Sequence, residues 1–251
     1  MNDRPNQDTL GMRIWMLCQR LVALIALILI SPLFLALCVA VRLDSPGPSL
    51  YSQVRPGRHG VPFRTWKIRS MVNGADKNKA LAKATASDAP EITRVGRIIR
   101  DLKLDELPQL ISVVRGDMAL VGPRPIAESL YEHLEAELPG FARRLEVLPG
   151  VTSLAQVRIY ENEDVEHLVE DWSLRFEAER HYLQHRSVAY DLLIIALTAG
   201  YLVRKVFRKI APGHSEAPQA GAEQSDRSGM TLRSGAVMAV AVIATGCAVL
   251  I

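Results

Sequence analysis

Cysteine is nearly absent from this 251-residue chain: Cys18, Cys38 and Cys247 are the only three. All lie in or beside apolar segments, and their spacing suits neither zinc nor a disulfide framework. That leaves packing roles in a reducing compartment. Histidine offers no metal centre either. His181 and His185 stand four residues apart, but no His-Glu-x-x-His accompanies them and no third ligand is apparent, so they read as surface side chains. No internal repeat is evident. Aromatics make up 6% of the chain, and the formal net charge is only +3. No nucleic-acid partner is expected. Trp66 and Trp172 read as core or interface residues, and Trp15 suits the headgroup zone near the end of an apolar helix.

Apolar side chains are abundant. They account for 49% of residues, and the mean hydropathy of +0.10 is high for a purely soluble protein. Leu21 to Val41 is apolar apart from Ser31, long enough to cross a hydrocarbon core. Arg13 and Arg20 would give a signal peptide its charged start, but the run exceeds the usual apolar region of one. Basic residues flank it on both sides: Arg4, Arg13 and Arg20 before, Arg42, Arg55, Arg58, Arg64 and Lys67 after. The basic flank of a span belongs in the cytoplasm. Two such flanks are awkward for a span and natural for a helix that turns back. Ser31-Pro32 at the centre supplies a break, because proline lacks an N–H and clashes with the preceding turn. The carbonyl it frees needs a partner at membrane depth, a role open to the serine hydroxyl. A kinked span and a re-entrant helix both satisfy these residues.

The rest of the chain divides by composition. Residues 1–10 are polar, 11–41 form the membrane helix, and 42–209 form the main domain. Residues 210–230 make a linker, and 231–251 an apolar tail. Within the main domain, DSPGPS (44–49) is turn chemistry. LYSQV and PFRTWKI read as short strands joined by RPGRHG. Residues 74–90 are a helix or loop over the site. ITRVGRIIRDLKL has a helical period through Ile92, Val95, Ile98 or Ile99, and Leu102. DELPQLISVV continues as a short helix with Pro108 near its first turn. Residues 126–147 are helical with a break at Pro139-Gly140. VTSLAQV reads as a strand, 164–186 as a charged helix and 187–209 as an apolar one. The sum is an α+β fold, mostly helical with a small β element.

Chemistry concentrates in Asp101 to Pro125, DLKLDELPQLISVVRGDMALVGPRP. Asp105 and Glu106 form an adjacent acid pair, Gly116-Asp117 a turn, and Pro123-Arg124-Pro125 holds an arginine between two prolines. Paired carboxylates suit a divalent cation or a carboxylate nucleophile; by themselves they also suit a solvated helix start. An aspartate with a pKa near 3.9 is ionised at neutral pH. It needs no base, only neutralisation of the anion it approaches. The prolines fix φ on both sides of Arg124, and a guanidinium so presented suits a phosphate. Arg94, Arg97, Arg100 and Lys103 precede the acids; such a run is usually a solvated face or, near a bilayer, an attraction for anionic lipid headgroups.

This span resembles the signature of the bacterial sugar transferases, monotopic polyprenyl-phosphate phosphoglycosyl transferases of the small single-domain type. Flanking segments match in order: Ser31-Pro32, YSQVRPG (51–57), FRTWKIRSM (63–71), ITRVGRIIR (92–100), LPGVTSLAQV (148–157) and SVAYDLLIIALT (187–198). The resemblance covers roughly residues 11 to 205. It implies a re-entrant N-terminal helix broken at Ser31 and Pro32. It also implies a catalytic domain on the cytoplasmic face of the bacterial inner membrane. The implied reaction moves a sugar 1-phosphate from a UDP-sugar to undecaprenyl phosphate and releases UMP, initiating exopolysaccharide or other glycoconjugate assembly. Asp105 matches the nucleophile that forms a phosphosugar-enzyme intermediate, and Glu106 the ligand of Mg²⁺. Lys67, Arg100 and Arg124 match phosphate-binding positions. Gln53, Arg55, Asp117, Gln156 and Asp191 match positions of less defined role, Asp191 equally suiting a helix cap. Membrane lipids are implied partners, and a homodimer is admitted.

The chain departs from the family pattern at four places. Ala119 replaces a serine, Ser153 a glycine, Tyr160 an arginine, and Glu179 an aspartate. Arg158 stands two positions before Tyr160, on the same face if the segment is a strand. Sugar specificity is the property these changes touch. Two rivals remain: a catalytically degenerate membrane scaffold of a glycan assembly complex, and a metal-dependent phosphohydrolase using the same acids.

Overall fold

The computed structural model describes residues 9–75, 90–158 and 168–210, the backbone alone for 157–158 and 205–210. The readings placed on 1–8, 76–89, 159–167 (with Tyr160) and 211–251 lie outside these residues. The chain divides into two units, Met1–Tyr201 and Leu202–Ile251. Everything below concerns the first, except the final turns of the last helix.

Helix α1 runs from Leu10 to Asp44, with the Thr9 hydroxyl accepting from Met12 N at 3.3 Å as its cap. It is longer at both ends than the apolar run and continues through Pro32 instead of stopping there. The reason is local. Pro32 cannot donate to Ile28 O, and the Ser31 hydroxyl donates to that oxygen instead, at 2.7 Å. One lost backbone bond is thereby replaced inside the turn that lost it. Among the described residues α1 is the one helix long and apolar enough to cross a membrane.

Both ends of α1 are docked while its middle is bare. Near the N-terminal end, Ala23 is buried against Val113 and Met118. The Gln19 carbonyl oxygen accepts from Leu120 N at 2.7 Å, and Trp15 Nε1 donates to Asp191 at 2.7 Å. At the other end Val41 is buried with Ile68 and Ile99. There Val95 N donates to Asp44 at 2.9 Å. The buried guanidinium of Arg69 donates to the carbonyls of Ser45 at 2.7 Å and Pro46 at 3.0 Å. Between the docked ends Leu24, Ile28, Leu29, Leu33 and Leu35 are exposed.

The expected hairpin is present. Strand β1 (Leu50–Pro56) pairs antiparallel with β2 (Pro62–Ile68), placing Tyr51 opposite Lys67 and Gln53 opposite Thr65. Helix α2 (Arg94–Asp101) is capped by Thr93 and buries Ile99, not Ile98. Lys103 then takes a left-handed conformation at φ +58°, which turns the chain into a 3-10 turn, Leu104–Glu106. Helix α3 (Gln109–Arg115) follows, so the acids precede it on a tight turn instead of opening it.

Strand β3 (Ala119–Val121) lies parallel to β4 (Gly150–Thr152). Gly122 and Gly150 approach so closely that a Cβ on either would strike the other's backbone. This contact ties the Gly-Pro-Arg-Pro turn to the LPGVT segment. Between the strands come α4 (Glu128–Glu137) and a 3-10 segment, Phe141–Glu146, broken at Pro139-Gly140 as expected.

The strand expected over VTSLAQV is corrected: only its start is extended, and Leu154–Arg158 forms helix α5. Ser153 explains the switch, because its hydroxyl accepts from Gln156 N at 3.2 Å as a helix cap. Arg158 and residue 160 are therefore not related by a strand face. Helices α6 (Leu168–His185) and α7 (Val188–Ile210) complete the described chain. Trp172 and Phe176 of α6 pack on Phe141 with Ile126 and Leu134 to form an aromatic core.

Candidate active site

The site is assembled by three short pieces of chain. Alternation along the hairpin puts Gln53 and Arg55 on the same face as Lys67, through the cross-strand pairing. The 3-10 turn after Lys103 presents Asp105 and Glu106. The rigid turn after β3 presents Arg124. Lys67 Nζ lies 3.6 Å from Asp105 Oδ2 and 3.3 Å from Glu106 Oε1. Arg124 donates to both oxygens of Glu106, at 2.6 and 3.3 Å, the bidentate geometry that only a guanidinium provides. Lys67, Asp105, Glu106 and Arg124, separated in sequence, thus form one ionic cluster.

The two acids are not equivalent. Burial raises the Asp105 carboxyl above its ordinary value, and neighbouring Glu106 adds to this while Lys67 opposes it. Burial also works against charge on Glu106, but Arg124 and Lys67 outweigh it, holding that carboxyl well below the usual range. Glu106 is the fixed anion. Asp105 keeps one oxygen, Oδ1, buried and without a hydrogen bond among the described residues. Such an atom is costly unless something else satisfies it.

The Arg124 turn is itself gripped through its main chain. Arg55 donates to the Pro125 carbonyl and, at 3.2 Å, to the Gln53 side chain. Burial, helped by the charge of Arg124, lowers the pKa of Arg55 to about 10. From the other side Arg144 donates to the Arg124 carbonyl at 2.7 Å and to Glu179 at 2.9 Å. The Arg144–Glu179 pair is almost fully buried, with each side chain 2% exposed. Its guanidinium lies over the rings of Phe141 and Trp172, 4.7 and 5.4 Å from their centroids. Arg144 was not foreseen. Glu179 was noted only as a departure from a pattern, and the 35 residues between the two gave no local signal.

The remaining candidates scatter. Arg100 occupies the last turn of α2, just before the acid turn. Asp117 lies in the turn closing α3, its N–H donating to Ser112 O at 2.9 Å. Gln156 sits on α5, its Oε1 buried and without a partner among the described residues; Arg158 ends that helix. Asp191 neither joins the acids nor caps α7. Ser187 caps that helix by accepting from Tyr190 N at 3.2 Å. The Asp191 carboxylate is fully buried and accepts from Trp15 and Tyr182, at 2.7 Å each, tying α1, α6 and α7 together. Ser31 and Pro32 stay within α1.

Among the described residues no group of three or more His, Cys, Asp or Glu is poised to hold a metal. The acid pair still fits Mg²⁺, which is typically held by one or two carboxylates together with phosphate and water oxygens. Glu106, whose carboxyl is held below the usual range, is the residue that would hold the ion, and Asp105 beside it keeps an oxygen without a hydrogen bond among the described residues.

A long apolar helix, a hairpin bearing a lysine, an acid turn and a proline-flanked arginine bring together charged groups that suit a phosphate ester, beside an apolar element. The family comparison agrees with that chemistry. The model of the family described as "Bacterial sugar transferase" matches residues 12–205, and the chain belongs to this family. It is 38% identical over 177 residues to the UDP-glucose:undecaprenyl-phosphate glucose-1-phosphate transferase of Escherichia coli (strain K12), which is 70% of this chain and 37% of that protein. The Caulobacter vibrioides protein of the same name is 41% identical over 175 residues, 70% of this chain and 64% of its own. The UDP-N-acetylgalactosamine-undecaprenyl-phosphate N-acetylgalactosaminephosphotransferase of Aeromonas hydrophila is 37% identical over 179 residues, 71% of this chain and 41% of its own. The chain therefore spans between roughly a third and two thirds of these relatives.

Proposed function

We propose that this chain transfers a sugar 1-phosphate from a UDP-sugar to undecaprenyl phosphate, initiating assembly of an exopolysaccharide or other membrane glycoconjugate. The observation that carries this reading is the division of labour in the acid pair. Glu106 is held by Arg124 and Lys67, while Asp105 Oδ1 is buried and has no hydrogen-bond partner among the described residues.

In the first step an Asp105 oxygen bonds to the phosphorus that carries the sugar. The bond from that phosphorus to the bridging oxygen breaks, and UMP leaves with the electron pair. In the second step a phosphate oxygen of the lipid attacks the same phosphorus. The aspartyl–phosphorus bond breaks, restoring the Asp105 carboxylate and leaving a polyprenyl diphosphate sugar. Lys67 neutralises charge as the phosphate approaches, and Arg100 is assigned to the same task. Arg124 holds Glu106 and offers its guanidinium edge to the phosphoryl oxygens. Mg²⁺ held by Glu106 would supply further charge compensation. Gln53, Arg55, Asp117, Gln156 and Arg158 are candidates for the nucleotide-sugar side.

The same reading makes α1 re-entrant, with the unit on the cytoplasmic face of the inner membrane. Residues 15–23 and 41–44 of α1 both dock on one folded unit, while the apolar middle stays bare. A helix anchored at both ends to one unit has both ends on that unit's side. This seating brings the nucleophile to a lipid phosphate that cannot leave the interface.

The deciding experiment is UMP release from purified protein against a panel of UDP-sugars, with and without undecaprenyl phosphate. Turnover that requires the lipid supports the transferase. No UMP from any sugar points to a scaffold, and turnover indifferent to the lipid points to a phosphohydrolase.

A further inference from the structure

A second basic site lies outside the acid cluster. A cavity of about 350 Å³ opens beside the N-terminal part of α1 and is lined by four arginines, Arg13, Arg20, Arg58 and Arg186, with Met16 and Leu17 among its apolar walls. Arg13, Met16 or Leu17, and Arg20 recur at helical spacing, so one face of α1 supplies half of it. Arg58 comes from the hairpin turn and Arg186 from the α6–α7 corner. Among the described residues no carboxylate lines the cavity. Arg186 is 6% exposed, and its Nε, like those of Arg20 and Arg58, is buried with no hydrogen-bond partner among the described residues. Its guanidinium donates to Met16 Sδ at 3.6 Å and also bonds the Tyr182 hydroxyl. The carboxylate of Asp191 lies close enough to Arg186 to feel its charge but does not form part of the wall.

Four guanidiniums repel one another at close quarters. Their convergence with unused donors calls for an anion. The apolar walls, and the exposed Leu17, Leu21 and Val22 of α1 beside them, call for an anion that carries hydrocarbon. We propose that this cavity binds the phosphate of an anionic membrane phospholipid, seating the N-terminal end of α1 at headgroup level. The donors suit any phosphate, so the test separates the sources.

The purified, delipidated full-length protein is titrated with phosphatidylglycerol, phosphatidylcholine, undecaprenyl phosphate and inorganic phosphate. Binding is read by native mass spectrometry and thermal shift. One phosphatidylglycerol should be retained and should raise Tm, with phosphatidylcholine at least tenfold weaker. The double variant Arg20→Gln/Arg58→Gln should weaken phosphatidylglycerol at least tenfold. Arg42→Gln, which removes the same charge from the far end of α1, should leave it unchanged. Arg13→Gln alone, at an exposed side chain, should give a partial loss and keeps the test decisive if the double variant does not fold. The proposal is overturned if phosphatidylcholine binds equally, if the arginine variants bind like wild type, or if Arg42→Gln matches them. Stabilisation by inorganic phosphate as strong as by the lipid overturns it too. So does undecaprenyl phosphate displacing phosphatidylglycerol from the cavity. The readout is lipid retention, so it stands apart from turnover.

Discussion

Arg124 holds Glu106 through two parallel bonds, Nη2 to Oε1 at 2.6 Å and Nη1 to Oε2 at 3.3 Å, across 18 residues of chain. The grip makes Glu106 a permanent anion and leaves Asp105 as the acid with an oxygen to spend. Arg124→Lys keeps the charge and loses the fork. The lysine variant should keep its fold and lose at least tenfold in kcat/KM for UMP release, with Arg124→Gln lower still. A lysine variant with wild-type kcat/KM would show that the bidentate contact has no part in turnover.

Replacing Asp105 by Asn should reduce turnover by several orders of magnitude. A covalent intermediate predicts ping-pong kinetics. Wild type should release up to one equivalent of UMP per active enzyme without acceptor and carry a phosphosugar on the peptide containing Asp105. A sequential mechanism with neither burst nor adduct would reassign Asp105 as a metal ligand or base.

The acids should have opposite effects on stability. Burial raises the pKa of Asp105, with Lys67 opposing, so its charge costs stability above that pKa. Asp105→Asn should therefore raise Tm at neutral pH, the gain shrinking as pH falls through the raised pKa. Glu106 is depressed: burial opposes its charge but Arg124 and Lys67 prevail. Its contribution is present above the ordinary carboxylate range and is lost as pH falls through the depressed value. Glu106→Gln should lower Tm at neutral pH. Thermal unfolding of both variants between pH 4 and pH 8 reads the two signs. If the nucleophile must be ionised, activity should also decline on the acid side at a pH above the ordinary 3.8 of aspartate.

Arg144 and Glu179 form a buried pair, and removing one partner strands the other. Glu179→Leu should cost about 3–5 kcal/mol, a Tm drop of roughly 6–20 °C for a chain of this size. The double variant Arg144→Met/Glu179→Leu should recover most of that stability. It should not recover activity, because the donor to the Arg124 carbonyl is gone. Full activity in a stable double variant would remove Arg144 from the positioning of Arg124.

Topology offers a separate test. With native cysteines removed, probes at residues 5 and 50 should both be shielded from an impermeant thiol reagent in intact cells. Labelling of the residue-5 probe alone would show a span. Pro32→Leu restores the donor to Ile28 O and removes a residue costing about 3 kcal/mol in a helix interior, so it should shift the population toward spanning. Removal of residues 211–251, beyond the family match ending at 205, should leave transferase activity in place.

Local chemistry carried most of the site into view. The hairpin, the α2 period, the Pro139-Gly140 break and the role of Ser31 as a spare donor all rest on neighbours within a few residues. The acid pair and the proline-flanked arginine were readable for the same reason. What escaped was long-range or depended on one cap. Gln19 meets Leu120 across 101 residues and Arg144 meets Glu179 across 35. Nothing near either residue announces its partner. The VTSLAQV segment alternates like a strand until Ser153 caps it, and Ser-x-x-Gln at 153–156 was the capping signal available. Asp191 sat at a plausible capping position, but burial turned its carboxylate inward to Trp15 and Tyr182.

The Trp15–Asp191 bond also sets an order of events during synthesis. Its partners are 176 residues apart, and ribosomes add about 5–20 residues per second. The indole therefore waits roughly 9–35 s before the carboxylate that anchors it has been made. Over that interval the partners of the C-terminal end of α1 arrive first, those of Gln19 and Ala23 next, and that of Trp15 last. Ribosome-stalled chains ending at residue 180 should accordingly leave Trp15 open to quenching by acrylamide, and chains carrying α7 should shield it. The helix made first is the last to be tied down.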